Sequence, residues 1–149
     1  MLTGIGLTLS VLIAEDNAIN QKVILLMLKK LGHQADVVAN GIEVLKALDL
    51  HYDVVLMDIG MPKMDGLQAT KYIRHHWLAR EQPRIIAVTA YVGSNVREIC
   101  LDAGMDDFIS KPVQIEELKS ALQFVKPVFR TFSSSRNNFC ILAPAALEL

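Results

Sequence analysis

Three short runs of apolar residues mark the chain, and none of them alternates with polar residues. They occupy residues 11–14, 54–57 and 85–88 and are rich in β-branched side chains. Uninterrupted apolar runs of about four residues are typical of strands that are buried on both faces of a parallel sheet. Two weaker runs, at residues 36–39 and 107–109, predict two further strands.

The segments between these runs have the spacing of amphipathic helices. In residues 20–31 the apolar side chains recur every three or four positions, and Gly32 follows where a left-handed C-terminal cap is expected. Four shorter helices are predicted at residues 42–50, 66–76, 94–103 and 115–125. Strands that alternate with helices predict an α/β fold. We expect a doubly wound, flavodoxin-like (βα)5 sandwich of three layers, with the parallel strand order 2-1-3-4-5.

This alternation predicts one domain over residues 9–125. Residues 1–8 form an apolar leader without basic residues, which argues against a secretion signal. Residues 126–149 are predicted to be a linker or tail without a recognised domain, because a polar aperiodic stretch there precedes an apolar end. Whether the tail docks on the domain or begins something further stays open.

The composition is that of a folded protein, with 52% hydrophobic and 21% charged residues and a formal net charge of −1. The balanced charge argues against direct nucleic-acid binding, and Arg74, Arg80 and Arg84 are interpreted as a solvated surface. No apolar run reaches the roughly 18 residues that span a bilayer, so we expect no membrane insertion. Cys100 and Cys140 are too few for a disulfide scaffold or a zinc site, and they fit a cytoplasmic protein.

Polar residues follow the predicted strands at their carboxyl ends. Glu15 and Asp16 follow the first strand, Asp58 the third, Thr89 the fourth and Lys111 the fifth. Ligands of open α/β sheets bind at this edge, so we expect these side chains to meet. Three carboxylates and one ammonium leave two negative charges, which Mg²⁺ with hard oxygen ligands would neutralise. A carboxylate nucleophile, a metal, an ammonium and a hydroxyl predict phosphoryl transfer.

Four short motifs occupy these strand ends in a fixed order. They are VLIAEDN at residues 11–17, MDIGMPKMDG at 57–66, VTA at 88–90 and SKP at 110–112. Together they make the chain similar to the receiver domain of two-component response regulators. The sequence from Ala14 to Val23 looks especially like that of receivers in hybrid sensor histidine kinases, so the chain could be a fragment of such a kinase.

The resemblance implies roles for the acidic residues. Asp58 would accept a phosphoryl group from phosphohistidine on a sensor histidine kinase or a histidine phosphotransfer protein. Asp16, Asp58 and the main-chain carbonyl of Gly60 would bind Mg²⁺, with Glu15 acting mainly through a bound water. The domain would catalyse its own phosphorylation but be consumed as the acceptor, so it is not expected to be an enzyme with turnover.

The resemblance also implies a switch. Lys111 would pair first with Asp58 and then with the phosphoryl oxygens, and its peptide bond to Pro112 would be cis. Thr89 would swing to hydrogen-bond the phosphoryl group, and Phe108 would turn inward as Thr89 moves. These movements would change the surface of the fourth helix, fifth strand and fifth helix. That surface would bind a partner or a second copy, giving a phosphorylation-dependent homodimer.

Three positions depart from well-studied receivers or vary among them. Phe108 stands where tyrosine is common, so the switch keeps the ring but loses a hydroxyl. Gly60 and Tyr91 occupy the two positions that tune phosphoryl lifetime in this family. Gly60 has no side chain to orient a water molecule and Tyr91 could shield the phosphoryl group, so we expect slow self-dephosphorylation.

Two other functions compete with this interpretation. A phosphorylation-independent interaction module of the same fold would not need the complete set of acidic, hydroxyl and lysine side chains. A magnesium-dependent phosphatase on a related fold usually needs a second aspartate two residues after the nucleophile, where Gly60 stands. A flavin site is disfavoured because Glu15 and Asp16 would repel its phosphate.

Overall fold

Five parallel strands alternate with five helices in a computed structural model that describes residues 7–91 and 93–127. The strands are β1 (Ser10–Ala14), β2 (Gln34–Val38), β3 (Val54–Asp58), β4 (Arg84–Thr89) and β5 (Asp107–Ser110). The helices are α1 (Ala18–Lys30), α2 (Gly41–Ala47), α3 (Gly66–His76), α4 (Val96–Ala103) and α5 (Ile115–Gln123). The strand order β2-β1-β3-β4-β5 confirms the predicted doubly wound fold.

The sheet separates two apolar layers, because successive residues of a strand point to opposite faces. On one face, residues such as Leu12 and Val55 pack with side chains of α2, α3 and α4. On the other face, Ile13 and Leu56 pack with α1 and α5. All five residues of β3 are buried. Burial on both faces explains why β1, β3 and β4 are uninterrupted apolar runs in the sequence.

The edge strand β2 begins at Gln34, two residues before the predicted start. Its residues are exposed or half-buried, and Asp36 accepts a hydrogen bond from the hydroxyl of buried Tyr52 at 2.6 Å. The hydrophobic pattern therefore misses the polar start of this strand.

The boundaries of α1 follow from its caps. The side-chain oxygen of Asn17 accepts from the backbone N–H groups of Ile19 and Asn20, both at 3.0 Å, so the helix begins two residues earlier than predicted. Gly32 follows the helix with a φ of +88°, which confirms the predicted left-handed position. The predicted helix at residues 42–50 divides into α2 and a short 3-10 turn, Leu48–Leu50.

Arg74 is not part of a solvated surface, so that interpretation is wrong for this residue. Its side chain is 22% exposed and forms an ion pair with Asp106 at 2.8 Å. Its Nε donates to the main-chain carbonyl of Gly104, also at 2.8 Å. Arg80 is exposed, as predicted.

Some predictions lie outside the described residues, namely those for residues 1–6, for residues 128–149 and for Cys140. Cys100 is buried within α4. Among residues 7–91 and 93–127, no helix combines the length and the apolar character needed to cross a bilayer.

Candidate functional site

Three carboxylates meet at the carboxyl edge of the sheet. β1 and β3 are parallel neighbours with Ala14 opposite Met57. The next residue of each strand's path, Glu15 and Asp58, therefore emerges at the same edge of the sheet. One oxygen each from Glu15, Asp16 and Asp58 lies within 4.8 Å of the others. Glu15 and Asp58 are buried whereas Asp16 is exposed, so the cluster is rooted in the protein and open to solvent on one side.

Lys111 brings one positive charge to this cluster. Its Nζ lies 2.7 Å from Oε1 of Glu15 and 3.2 Å from Oδ2 of Asp58. Burial alone would lower the pKa of Lys111, but hydrogen bonds and charge attraction from the two carboxylates outweigh burial and raise it. The ammonium therefore stays charged. Its peptide bond to Pro112 is cis, as the resemblance implies.

The cluster keeps an excess of negative charge. Burial raises the pKa of Glu15, and repulsion from Asp58 adds to this effect, while the hydrogen bonds from Lys111 and Asn17 act in the opposite direction. Oδ1 of Asp58 accepts the backbone N–H of Gly60 at 3.2 Å. Three carboxylates facing one ammonium make a set of oxygen donors that fits a hard divalent cation such as Mg²⁺.

Thr89 and Tyr91 flank the cluster from the end of β4. Thr89 is buried, and its hydroxyl oxygen accepts the backbone N–H of Tyr91 at 3.1 Å. The ring of Tyr91 reaches back over Gly60, because a Cβ built on Gly60 would lie 3.9 Å from the tyrosine hydroxyl. The backbone N–H of Lys111 donates to the carbonyl of Thr89 at 2.8 Å, which joins this side of the site to the lysine.

Phe108 lies on β5, two residues before Ser110 at the end of the strand. In the β4–β5 ladder it pairs with Ala87, whereas Thr89 pairs with Ser110. Its half-buried ring packs against the apolar layer under α3 and α4, and it also lines a surface cavity of about 350 Å³ beside α5. Phe108 thus lies on the same face of the sheet as Thr89 and is not a member of the acidic cluster.

The residue roles of Gln21 and Asn17 could not be read from the motif alone. The side-chain amide of Gln21 donates to the main-chain carbonyl of Glu15 at 2.6 Å. The backbone N–H of Asn17 donates to Oε2 of Glu15 at 3.2 Å. In the sequence, the only signal of this role is the position of Gln21, one turn into the helix that follows Glu15 and Asp16.

Comparison with known proteins identifies the family. The sequence model of the response regulator receiver domain family matches residues 11–123 of this chain. The chain belongs to this family. Hybrid signal transduction histidine kinase K of Dictyostelium discoideum is 47% identical over 121 residues, covering 76% of this chain and 10% of that protein. Histidine kinase 5 of Arabidopsis thaliana is 40% identical over 139 residues, covering 76% of this chain and 15% of the kinase. The receiver thus spans a small part of these relatives.

Solved structures agree with this assignment. The receiver domain of a sensor histidine kinase from Pseudomonas aeruginosa is 41% identical to this chain, with a TM-score of 0.71, and it was solved with magnesium coordinated in its active-site cleft. The match covers 78% of this chain and 96% of that domain. A CheY-like receiver from Methylobacillus flagellatus is 27% identical with a TM-score of 0.68, covering 80% of this chain and all of that one.

Proposed function

We propose that Asp58 is the phosphoacceptor of this receiver and that it takes a phosphoryl group from phosphohistidine on a histidine kinase or a histidine phosphotransfer protein. The observation that carries the proposal is the position of the Asp58 carboxylate. It lies among two further carboxylates and 3.2 Å from the ammonium of Lys111, at the edge where ligands of doubly wound sheets bind. Among the three described carboxylates of this cluster, only that of Asp58 contacts both Lys111 and the backbone N–H of Gly60.

In the proposed reaction a carboxylate oxygen of Asp58 attacks phosphorus. The P–N bond breaks, and its electron pair returns to the imidazole nitrogen of the donor. The ring leaves as neutral imidazole when its other nitrogen carries a proton, and Asp58 becomes an acyl phosphate. Lys111 stabilises negative charge on the carboxylate and on the arriving phosphoryl oxygens, so positioning and charge neutralisation lower the barrier.

We propose that Glu15, Asp16, Asp58 and the carbonyl of Gly60 hold Mg²⁺, with Glu15 acting mainly through a water molecule. The three-carboxylate cluster supports this assignment, as does its open side at Asp16. When bound, the cation would neutralise the excess negative charge and ligate a phosphoryl oxygen. Addition of Mg²⁺ at a hundredfold excess over its Kd would raise the free energy of unfolding by about 2.7 kcal/mol.

The switch residues proposed here are Thr89 and Phe108. Thr89 would turn its hydroxyl from the Tyr91 N–H to the phosphoryl group, and Phe108 would move inward with it. The resulting change would reach α4, β5 and α5, where a partner or a second copy would bind. We propose that the receiver comprises residues 9–125 and acts in the cytoplasm, either as part of a hybrid kinase or alone. It would be consumed as a phosphoacceptor and would not act as an enzyme with turnover. It would neither bind nucleic acid directly nor insert into a membrane.

Intact-mass measurement after incubation with acetyl phosphate and Mg²⁺ tests the proposal. The wild type should gain one phosphoryl group, and Asp58→Asn or omission of Mg²⁺ should prevent the gain. Asp65→Asn is the matched control, because Asp65 caps α3 in the same loop and asparagine caps equally well. If the wild type gains no phosphoryl group, the phosphorylation-independent interaction module is favoured. If Asp58→Asn still gains one, another residue accepts the phosphoryl group and the assignment to Asp58 is wrong.

A further inference from the structure

Gln21 reaches from the first turns of α1 back to the acidic pair. Its side-chain Nε2 donates to the main-chain carbonyl of Glu15 at 2.6 Å, across six residues of sequence. Glu15 is buried and follows the last residue of β1, and its own N–H donates to the carbonyl of Val38. A buried carbonyl needs a hydrogen-bond donor, and Gln21 supplies one from a side chain.

The position of this carbonyl matters because it belongs to the peptide unit between Glu15 and Asp16. That unit is planar, so its orientation fixes one backbone dihedral of each residue. The same two dihedrals set the directions of the two Cα–Cβ bonds relative to each other, and these bonds are the starting points of the two carboxylate side chains. A donor that holds this oxygen therefore holds two of the three carboxylates of the cluster in their mutual arrangement.

Asn17 completes the link between α1 and the acidic pair. Its backbone N–H donates to Oε2 of Glu15 at 3.2 Å, while its side chain caps the helix through two N–H groups. The backbone N–H of Gln21 donates to the carbonyl of Asn17 at 3.0 Å. The first turn of α1, the β1–α1 turn and the Glu15 carboxylate are thus joined by one continuous set of hydrogen bonds.

We propose that Gln21 is a positioning residue for the cation site, acting through the Glu15 carbonyl and without contact to the cation itself. The inference rests on the proposed magnesium site and adds a residue to it. The inference also gives a physical reason for the asparagine and the glutamine, Asn17 and Gln21, that follow the acidic pair in the sequence. Outer partners that orient metal ligands commonly change metal affinity by about 10-fold or more when they are removed.

The test is titration of the metal-free protein with MgCl₂ by calorimetry or by NMR of backbone amides. Gln21→Met keeps the length and helix propensity of the side chain but removes the donor. We expect Mg²⁺ to bind this variant about 10-fold more weakly than the wild type. The Mg²⁺ concentration that gives half-maximal phosphorylation by acetyl phosphate should rise in parallel. Gln123→Met, at the exposed end of α5, is the matched control and should bind like the wild type.

A purely structural role for Gln21 would lower thermal stability and leave the affinity of the folded protein unchanged. Equal Mg²⁺ affinity of Gln21→Met and wild type therefore overturns the inference. Gln21→Asn keeps the amide but is too short to reach, and it replaces the first variant if that one does not fold. Failure of the wild type to bind Mg²⁺ would overturn the proposed cation site together with this inference.

Discussion

The backbone N–H of Gly41 donates to the main-chain carbonyl of Met64 at 2.8 Å, which ties the N-terminus of α2 to the loop that follows Asp58. The contact is backbone to backbone. A Cβ built on Gly41 would lie 2.6 Å from the Met64 oxygen and 2.7 Å from its Cγ. Glycine is required here by the close approach of the loop that also carries Gly60.

Gly41→Ala should therefore destabilise the protein. The added methyl group must displace a main-chain oxygen, and overpacking of this kind costs about 1–3 kcal/mol. Urea denaturation measures the loss. Gly60→Ala is the comparison in the same loop, because its Cβ meets nothing nearer than the Tyr91 hydroxyl at 3.9 Å. That variant should change the free energy of unfolding by no more than about 1 kcal/mol. Equal stability of the two variants would contradict the packing argument.

Arg74→Lys should destabilise the protein by about 1.5–3 kcal/mol, the range for a hydrogen bond to a charged group. The guanidinium donates to the Gly104 carbonyl, to Gln82 and to Asp106, which joins the end of α3 to the residues before β4 and β5. A lysine has one donor group and cannot reproduce this fork. Chemical denaturation checks the prediction, with exposed Arg80→Lys as a control that should be neutral.

Protonation of His33 should lower the free energy of unfolding in mild acid. Its Nδ1 accepts the backbone N–H of Leu9 at 3.1 Å, and burial lowers its pKa from the ordinary value of 6.5. As the pH falls through about 6.5, the unfolded chain takes up the proton before the folded protein does. The contribution of His33 is therefore present above this pH and is lost below it.

Denaturation by urea at pH 7.5 and pH 5.0 measures this effect. His33→Asn keeps an acceptor near the position of Nδ1 and does not titrate, so its stability should fall less between the two pH values. Exposed His75→Asn is the control and should fall as much as the wild type. A wild type and a His33→Asn variant with the same pH dependence would rule out His33 as a source of the loss.

The buried strands and the site were predictable for one physical reason. β1, β3 and β4 are covered on both faces, so burial makes them continuous apolar runs, and polar residues can follow only where such strands end. Glu15, Asp58 and Lys111 stand out against that apolar background, and their motif order supplies the family. The edge strand β2 lacks such burial, and its start at Gln34 is correspondingly hidden.

Other features depend on contacts that no local pattern contains. Arg74 resembles a solvated arginine in the sequence, yet its partners Gly104 and Asp106 lie 30 and 32 residues further along the chain. Gln21 is one polar residue in an amphipathic helix, and only the geometry of the β1–α1 turn shows that its amide reaches the Glu15 carbonyl. Such polar side chains acquire their roles from tertiary structure.

Tyr91→Ala should shorten the lifetime of the phosphoryl group on Asp58 several-fold. The Tyr91 ring lies over Gly60, and its removal opens a path for water to the acyl phosphate. The backbone N–H that donates to Thr89 is retained in alanine, so the variant isolates the side chain. After phosphorylation with acetyl phosphate and removal of the donor, intact mass followed over time gives the lifetime. Tyr72→Ala, on α3 where the ring stacks on His76, is the control and should decay like the wild type. If the phosphoryl group on Tyr91→Ala lasts as long as on the wild type, the tyrosine does not shield it, and the slow dephosphorylation that we expect must then depend on Gly60 alone.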